Sequence, residues 1–146
     1  MIAVLDTNVL ISATIQAQGL PAQIHRLWEA QFIQIAVSEV ILQEYRRVLS
    51  YSRVAKRHRQ DEAALDGLVK RLREKAVVVS GTVNIGRVSR DPDDDKFLAV
   101  ALEAGADMIV SGDPDLLDLH SFREIPIVTP RAFIEQVMAL WAEKAA

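Results

Sequence analysis

Short apolar runs alternate with helical patterns along most of this chain, and this alternation restricts the folds open to it. Mostly apolar runs of strand length occupy residues 2–5, 32–37, 76–79 and 108–110. Between them, apolar residues recur at helical spacing. Parallel strands need a crossover connection, which is usually a helix. We therefore predict the α/β class, as a three-layer α/β/α sandwich whose central, mainly parallel sheet has four to five strands.

Capping and helix-breaking residues mark where the predicted helices begin and end. Ser38 has an N-cap residue type, and Asp91 followed by proline is typical of another helix start. Residues 125–128 are predicted as a short edge strand, where Pro126 is tolerated. No repeat or linker divides the chain, so we predict one domain over residues 1–146. The helical patterns cover residues 8–17, the segment after 21 up to about 30, 39 to about 50, 61–75, 91–105 and the segment after 129.

Composition excludes several classes of protein. The chain has no cysteine, which excludes disulfides, thiolate zinc sites and cysteine nucleophiles. No stretch approaches the ~20 apolar residues of a membrane helix, and the first apolar run is too short for a signal peptide. We therefore expect no membrane segment and a cytoplasmic location. The net charge of -3 argues against a generic nucleic-acid coat.

Charge is distributed unevenly along the chain. Residues 46–75 contain ten basic and four acidic side chains, whereas residues 91–118 contain nine acidic side chains and one lysine. A basic flank can bind a polyanion, and an acidic pole can bind cations. Both segments are also compatible with ordinary solvated helix faces. The candidates for contact with a polyanion are Arg46, Arg47, Arg53, Lys56, Arg57 and Arg59.

Four acidic residues stand where an α/β fold would bring them together. Asp6 ends the first apolar run, and Asp113 follows the run 108–110 after two residues. Glu44 and Asp94 lie on the apolar stripes of two predicted helices. Ligands of open α/β sheets bind outside the carboxyl ends of the strands. Two carboxylates ~4 Å apart repel by about 4 kcal/mol at an effective dielectric near 20, so the group needs a proton or a hard cation such as Mg²⁺.

Each of these acids also has a purely structural interpretation. Asp6 can cap the helix that follows it, and Asp91 can do the same for a later helix. Asp113 lies in a Ser-Gly-Asp-Pro-Asp segment, where aspartate is common for reasons of turn geometry. Glu44 is harder to explain in this way, because the arginines next to it in sequence are poorly placed to pair with it. A lone buried carboxylate is costly.

Four segments carry a resemblance to a known family. In their order and spacing they resemble the PIN domain family, and within it the toxins of type II toxin–antitoxin pairs. The resemblance spans residues 2 to about 135 and implies a PIN-like sheet. The segments are Leu5-Asp6-Thr7-Asn8-Val9-Leu10, Glu44-Tyr45-Arg46-Arg47-Val48-Leu49, Asp91-Pro92-Asp93-Asp94-Asp95-Lys96-Phe97-Leu98-Ala99 and Val110-Ser111-Gly112-Asp113-Pro114-Asp115-Leu116-Leu117.

The resemblance implies a set of site residues. The run 93–95 lets the third acid shift by one position, and Asp94 is preferred because Ala101 follows it by seven residues, where the family keeps a small side chain. Asp91 and Asp115 are auxiliary ligand candidates. Asn8 and Ser111 stand at supporting polar positions, Ser111 where threonine is commoner. The four acidic metal-site positions are taken by Asp6, Glu44, Asp94 and Asp113.

The activity that the resemblance implies is that of a Mg²⁺- or Mn²⁺-dependent endoribonuclease acting on single-stranded RNA. It also implies a cognate antitoxin protein and a homodimer, for which Trp28 and Trp141 offer apolar surface. A response-regulator receiver or a dehalogenase-like phosphatase would need a second acid soon after Asp6, and residue 8 is asparagine. A catalytically weak PIN-like module that binds RNA or a partner protein stays open.

Overall fold

A six-stranded sheet forms the centre of the computed structural model, which describes residues 1–51 and 62–145. The sheet order is β3-β2-β1-β4-β6-β5, and every pair of neighbours is parallel except β5 and β6. The predicted α/β sandwich with a mainly parallel sheet is therefore confirmed. The strands are β1 (Ile2–Leu5), β2 (Gln34–Ser38), β3 (Val77–Val79), β4 (Met108–Val110), β5 (Ser121–Phe122) and β6 (Ile125–Val128).

Seven α-helices surround this sheet in the described residues. Ser38 caps the helix after β2, as predicted, by accepting a hydrogen bond from the Ile41 N–H. A single 3₁₀ turn, Pro92–Asp94, precedes α5, so the segment predicted as one helix from residue 91 begins with a tighter turn. No described helix has the length and apolar character needed to cross a membrane. The helices are α1 (Thr7–Ile15), α2 (Leu20–Glu29), α3 (Glu39–Ser50), α4 (Glu62–Lys75), α5 (Asp95–Ala104), α6 (Pro114–Leu117) and α7 (Pro130–Ala145).

The direction in which successive strands are added to the sheet reverses between β1 and β4. From β1 the chain adds β2 and β3 on one side, and it then returns to place β4 on the other side of β1. Leu5 is the register partner of Val110, and the Asp6 N–H donates to the Val110 carbonyl at 3.0 Å. Such a reversal opens a crevice at the carboxyl ends of the two strands, which is where α/β proteins bind ligands.

The strand at residues 125–128 is not an edge strand, which corrects the sequence-based prediction. β5 pairs with it antiparallel on its outer side, with Ser121 opposite Pro126. The chain makes this tight hairpin through left-handed backbone at Arg123 (φ 47) and Glu124 (φ 69). A two-residue strand has no apolar periodicity to reveal it, and so β5 was missing from the prediction.

Candidate metal centre

Asp6 is a buried carboxylate fixed at the carboxyl end of β1. Its Oδ1 accepts a hydrogen bond from the Val9 N–H at 2.8 Å, so it caps α1. Its Oδ2 accepts a hydrogen bond from the Ser111 hydroxyl. Burial raises the pKa of Asp6 and the negative charge of Asp113 adds to this, although the bonds from Ser111 and Val9 oppose it. Asp6 therefore caps α1 and also lies at the crevice between the carboxyl ends of β1 and β4.

Ser111 connects the acidic residues that follow β1 and β4. Its hydroxyl donates to Asp6 and accepts from the Asp113 N–H at 2.9 Å. Asp113 in turn caps α6, because its Oδ1 accepts from the Asp115 N–H at 2.9 Å. The negative charge of Asp113 acts on both Asp6 and Asp94. Three of the four predicted acids, Asp6, Asp94 and Asp113, therefore lie close enough for the charge of Asp113 to act on the other two.

Asp94 has the least compensated carboxylate of this group. Its Oδ2 is buried and has no hydrogen-bond partner in the described part of the chain. Burial, followed by the negative charges of Asp113 and Asp91, raises the pKa of Asp94 from 3.8 to about 7, and the charge of Lys96 opposes this increase. A buried carboxylate oxygen without a partner calls for a proton or a cation.

The two auxiliary candidates lie closest to Asp94. One carboxylate oxygen each of Asp91, Asp94 and Asp115 lies within 4.8 Å of the other two. Arg90 partly neutralises this group, because its Nε lies 3.1 Å from Asp115 Oδ1 and its guanidinium also pairs with Asp118 at 2.5 Å. The tightest acidic group in the described residues therefore consists of one main candidate and both auxiliary ones.

Glu44 lies outside that tight group and has partners of its own. The Thr7 hydroxyl donates to Glu44 Oε2, and Lys96 Nζ lies 2.8 Å from Glu44 Oε1. As expected, the neighbouring arginines do not pair with it, since Arg46 pairs with Glu62 and Asp66 on α4. Sequence reasoning missed Lys96. The available signal was that Lys96 is the single basic residue of the acidic segment 91–118.

Asp95, the alternative third ligand, is engaged in holding a loop. Its two carboxylate oxygens accept from the Val88 N–H at 3.1 Å and the Ser89 N–H at 2.8 Å. Burial opposes ionisation here, but the hydrogen bonds from Ser89 and Val88 outweigh it and lower the pKa of Asp95. The Ser89 hydroxyl also donates to the Asp91 carbonyl at 2.5 Å. Asp95 therefore positions the loop that carries Asp91.

The remaining predicted residues are less informative. Asn8 is exposed on the first turn of α1, and its side chain makes no hydrogen bond within the described residues. Arg46 is held by α4, whereas Arg47 is exposed on α3. Four of the polyanion candidates lie outside the described residues, namely Arg53, Lys56, Arg57 and Arg59.

The donor set suits a hard divalent cation. Carboxylate oxygens of Asp91, Asp94 and Asp115 converge here, and carboxylate is the ligand type that Mg²⁺ and Mn²⁺ prefer. The buried Asp94 oxygen has no other partner among the described residues. No cysteine occurs in the chain. A mainly parallel α/β sheet thus carries an acidic cluster at its topological switch point, the place where α/β proteins bind ligands.

Comparison with known families agrees with this description. The model of the PIN domain matches residues 3–115, and the chain belongs to the PIN domain family. An uncharacterised protein of Methanocaldococcus jannaschii is 31% identical over 141 residues, which cover 91% of this chain and 89% of that protein.

Two solved structures have a similar fold. VapBC2 from Rickettsia felis, bound to a DNA fragment from its promoter, superposes with a TM-score of 0.56 and 14% identity over 88% of this chain and 98% of that chain. VapC20 of Mycobacterium tuberculosis, a toxin that cleaves the sarcin–ricin loop, gives a TM-score of 0.54 and 18% identity over 85% and 98%. At these identities the likeness shows the fold.

Proposed function

We propose that this protein is a Mg²⁺- or Mn²⁺-dependent endoribonuclease that cleaves phosphodiester bonds of single-stranded RNA. The observation that carries the proposal is the buried Asp94 oxygen, which has no partner in the described residues and has Asp113, Asp91 and Asp115 close to it at the switch point of the sheet. Membership of the PIN domain family supports a nuclease. An acidic group that Arg90 neutralises only in part would bind a polyanion poorly unless a cation came with it.

The residues proposed to hold the ion are Asp6, Asp94 and Asp113, with Asp91 and Asp115 adjacent to them. What a bound divalent ion supplies is charge stabilisation at the phosphate and activation of a water molecule. Asp6 is held in one orientation by Val9 and Ser111, and so it presents its charge without first reorganising.

Asp94 couples metal binding to proton release. The pKa of Asp94, raised to about 7, favours the protonated carboxyl group more than in an ordinary aspartate when no cation is bound. A cation at this group competes with that proton, so metal affinity should rise with pH. Glu44 is the fourth acid of the proposed catalytic set, and it is fixed at the crevice by Thr7 and Lys96.

RNA is proposed to approach along the basic segment that begins on α3. Arg47 is exposed on the helix that carries Glu44, and Arg46 shares that helix. The other proposed contacts are Arg53, Lys56, Arg57 and Arg59, which the chain places directly after α3. Basic side chains of this kind contact phosphates and make affinity depend on salt.

We further propose that the protein acts as the toxin of a toxin–antitoxin pair, with a separate antitoxin protein as its partner. The fold shared with VapBC2 and VapC20 motivates this role. A homodimer is proposed through the apolar groove lined by Leu27, Phe32, Met138, Leu140 and Trp141. Trp28, by contrast, is largely covered, since it packs against the core and contacts His25. A cellular RNA substrate implies action in the cytoplasm.

The decisive experiment is a cleavage assay on labelled single-stranded RNA with Mg²⁺, Mn²⁺ or EDTA. Cleavage by the wild type that needs a divalent ion and disappears in Asp94→Asn would support the proposal. Glu135→Gln is a suitable control, because this exposed acid lies on α7, a helix that carries none of the proposed site residues. Metal-independent RNA binding without cleavage would instead support a catalytically weak PIN-like binding module.

A further inference from the structure

Glu44 already has a cation bound to it within the protein. Lys96 Nζ lies 2.8 Å from Glu44 Oε1 and 3.2 Å from Asp93 Oδ2, and it lies 5.1 Å from the centroid of the Phe97 ring. The Lys96 and Glu44 side chains are 16% and 17% exposed, whereas those of the surface pair Arg73–Glu39 are 45% and 51% exposed. With Thr7 on the other oxygen, both carboxylate oxygens of Glu44 are partnered.

The position of Lys96 on its helix makes this arrangement more informative. Lys96 is the second residue of α5. The N-terminal end of a helix carries a partial positive charge, so a cation there is unfavourable unless carboxylates offset it. The lysine is therefore held at this point by Glu44 and Asp93 against the preference of the helix.

The carboxylates around Asp94 and the carboxylate of Glu44 differ in how their negative charge is balanced. Around Asp94, carboxylate oxygens of Asp91 and Asp115 lie within 4.8 Å, and one Asp94 oxygen has no partner in the described residues. Lys96 follows Asp94 by two residues, and its Nζ lies 3.2 Å from Oδ2 of Asp93, the residue before Asp94. Glu44 thus has a largely covered cation beside it, whereas the cation described near Asp94, the exposed Arg90, pairs with Asp115 and Asp118 and leaves that Asp94 oxygen unpartnered among the described residues.

We propose that the Lys96 ammonium supplies the second positive charge of this site, so that the protein binds one divalent ion and Glu44 positions Lys96 instead of ligating a metal. The inference rests on the proposed metal-dependent function. In two-metal nuclease sites the ions lie about 3.5–4 Å apart and both contact the reacting phosphate. Here the ion would lie with Asp94, Asp113 and Asp6, and the lysine takes the position beside Glu44.

The consequence for substrate binding follows from the donors of the ammonium group. Lys96 has three N–H donors, of which one donates to Glu44 in the described residues, while Asp93 is an ion-pair partner at 3.2 Å. A remaining donor is proposed to bind a phosphate oxygen of the RNA. A lysine acts on phosphate as a compact point charge, which is what a second cation would contribute at that position.

The test is to count bound Mn²⁺ ions on the full chain after treatment with EDTA, by calorimetry and by the electron paramagnetic resonance signal of free Mn²⁺. We expect one ion for the wild type and one for Glu44→Gln. Lys96→Met should bind two, because Glu44 and Asp93 become available to a second ion. Adding Glu44→Gln to Lys96→Met should return the count to one. Lys75→Met removes a lysine paired with Glu29, away from the site, and should leave the count at one.

Several outcomes would overturn the assignment. Two ions of similar affinity in the wild type, one ion in Lys96→Met, or none in Glu44→Gln would each show that Lys96 does not replace a metal ion. If Lys96→Met fails to fold, the wild-type and Glu44→Gln counts still decide the matter. No ion bound to the wild type would refute the metal dependence of the proposed function as well, which the cleavage assay in EDTA reports separately.

Discussion

Asp94 and Asp95 are adjacent in sequence and have opposite surroundings. Asp95 accepts hydrogen bonds from the backbone N–H groups of Val88 and Ser89. Asp94 has a buried oxygen with no partner in the described residues. The first carboxylate is stabilised by the folded protein, and the second is destabilised by it. Two matched substitutions should therefore have opposite effects on stability.

Asp94→Asn should abolish cleavage and stabilise the metal-free protein, because it removes one of several mutually repelling charges. Asp95→Asn should lower the free energy of unfolding by about 1–3 kcal/mol, since it weakens two charge-assisted hydrogen bonds to the loop. Urea unfolding in EDTA measures both changes in stability, and the RNA cleavage assay measures the loss of activity. A destabilised but fully active Asp94→Asn would remove Asp94 from the site and point to Asp91.

The contribution of Asp94 to the stability of the metal-free protein should fall as pH rises from about 4 to above 7. The unfolded chain releases the Asp94 proton near pH 3.8, whereas the folded protein holds it up to about pH 7. Stability from this group is thus fully present below pH 3.8 and is lost as pH rises through 7.

The difference between wild type and Asp94→Asn isolates this effect from other titrating groups. The free energy of unfolding of Asp94→Asn minus that of the wild type should be larger at pH 8 than at pH 5. Allowing for solvent screening, the increase should be about 1 kcal/mol. Unfolding free energies in EDTA at the two pH values provide the measurement. An equal difference at both pH values would contradict the raised pKa.

Ser111→Ala should destabilise the protein by about 1–3 kcal/mol, because a buried carboxylate loses a hydrogen-bond donor. It should also raise the pKa of Asp6 further, which carboxyl NMR titration can detect. Ser111→Thr keeps the hydroxyl and should behave like wild type. Ser121→Ala removes an exposed hydroxyl and is the control. If Ser111→Ala matched that control, the bridge to Asp6 would be unimportant.

Replacing Arg53, Lys56 and Arg57 together with alanine should weaken RNA binding and reduce its salt dependence. Loss of three phosphate contacts on a single strand lowers the slope of log K against log salt by about 2. Binding is best measured in the Asp94→Asn background, where the RNA stays intact. The control of equal charge replaces the exposed Arg26, Arg123 and Arg131. The same loss in the control would mean that only net charge matters.

Trp141→Glu should convert the proposed homodimer into a monomer near 16.2 kDa. Trp141 is 52% exposed and packs edge-to-face on Phe32, which is 51% exposed. A charge at this position would oppose burial in an interface. Val40→Glu is the control. Val40 is also exposed and apolar, but it lies on α3 and does not line the groove, so this change should leave the dimer intact. Light scattering that finds only monomer for the wild type would refute the dimer.

Sequence patterns were sufficient for most of the fold, for reasons that particular elements make clear. β1 and β4 are buried, so they had to be continuous apolar runs, and Gly105 ends α5 with left-handed backbone (φ 61). β5 could not be predicted, because two residues carry no periodicity and their pairing depends on a hairpin made by left-handed residues.

The site was less predictable than the fold. Asp6 and Asp113 follow strands, so topology alone brings them to one crevice. The pairing of Glu44 with Lys96 joins residues 52 positions apart, and no local pattern reports such a contact. Within the acidic run 93–95, helical spacing alone does not separate a ligand from a residue that holds a loop. The hydrogen bonds from Val88 and Ser89 make that distinction.

The attachment of residues 88–91 to the first turn of α5 has a consequence for how fast an ion can exchange. Asp95 and Ser89 tie the loop of Asp91 to the helix that follows Asp94. These carboxylates are therefore brought together when the chain folds, and little rearrangement is needed when an ion binds. An ion should enter and leave at a rate set by its own dehydration, with almost no conformational entropy lost by the protein.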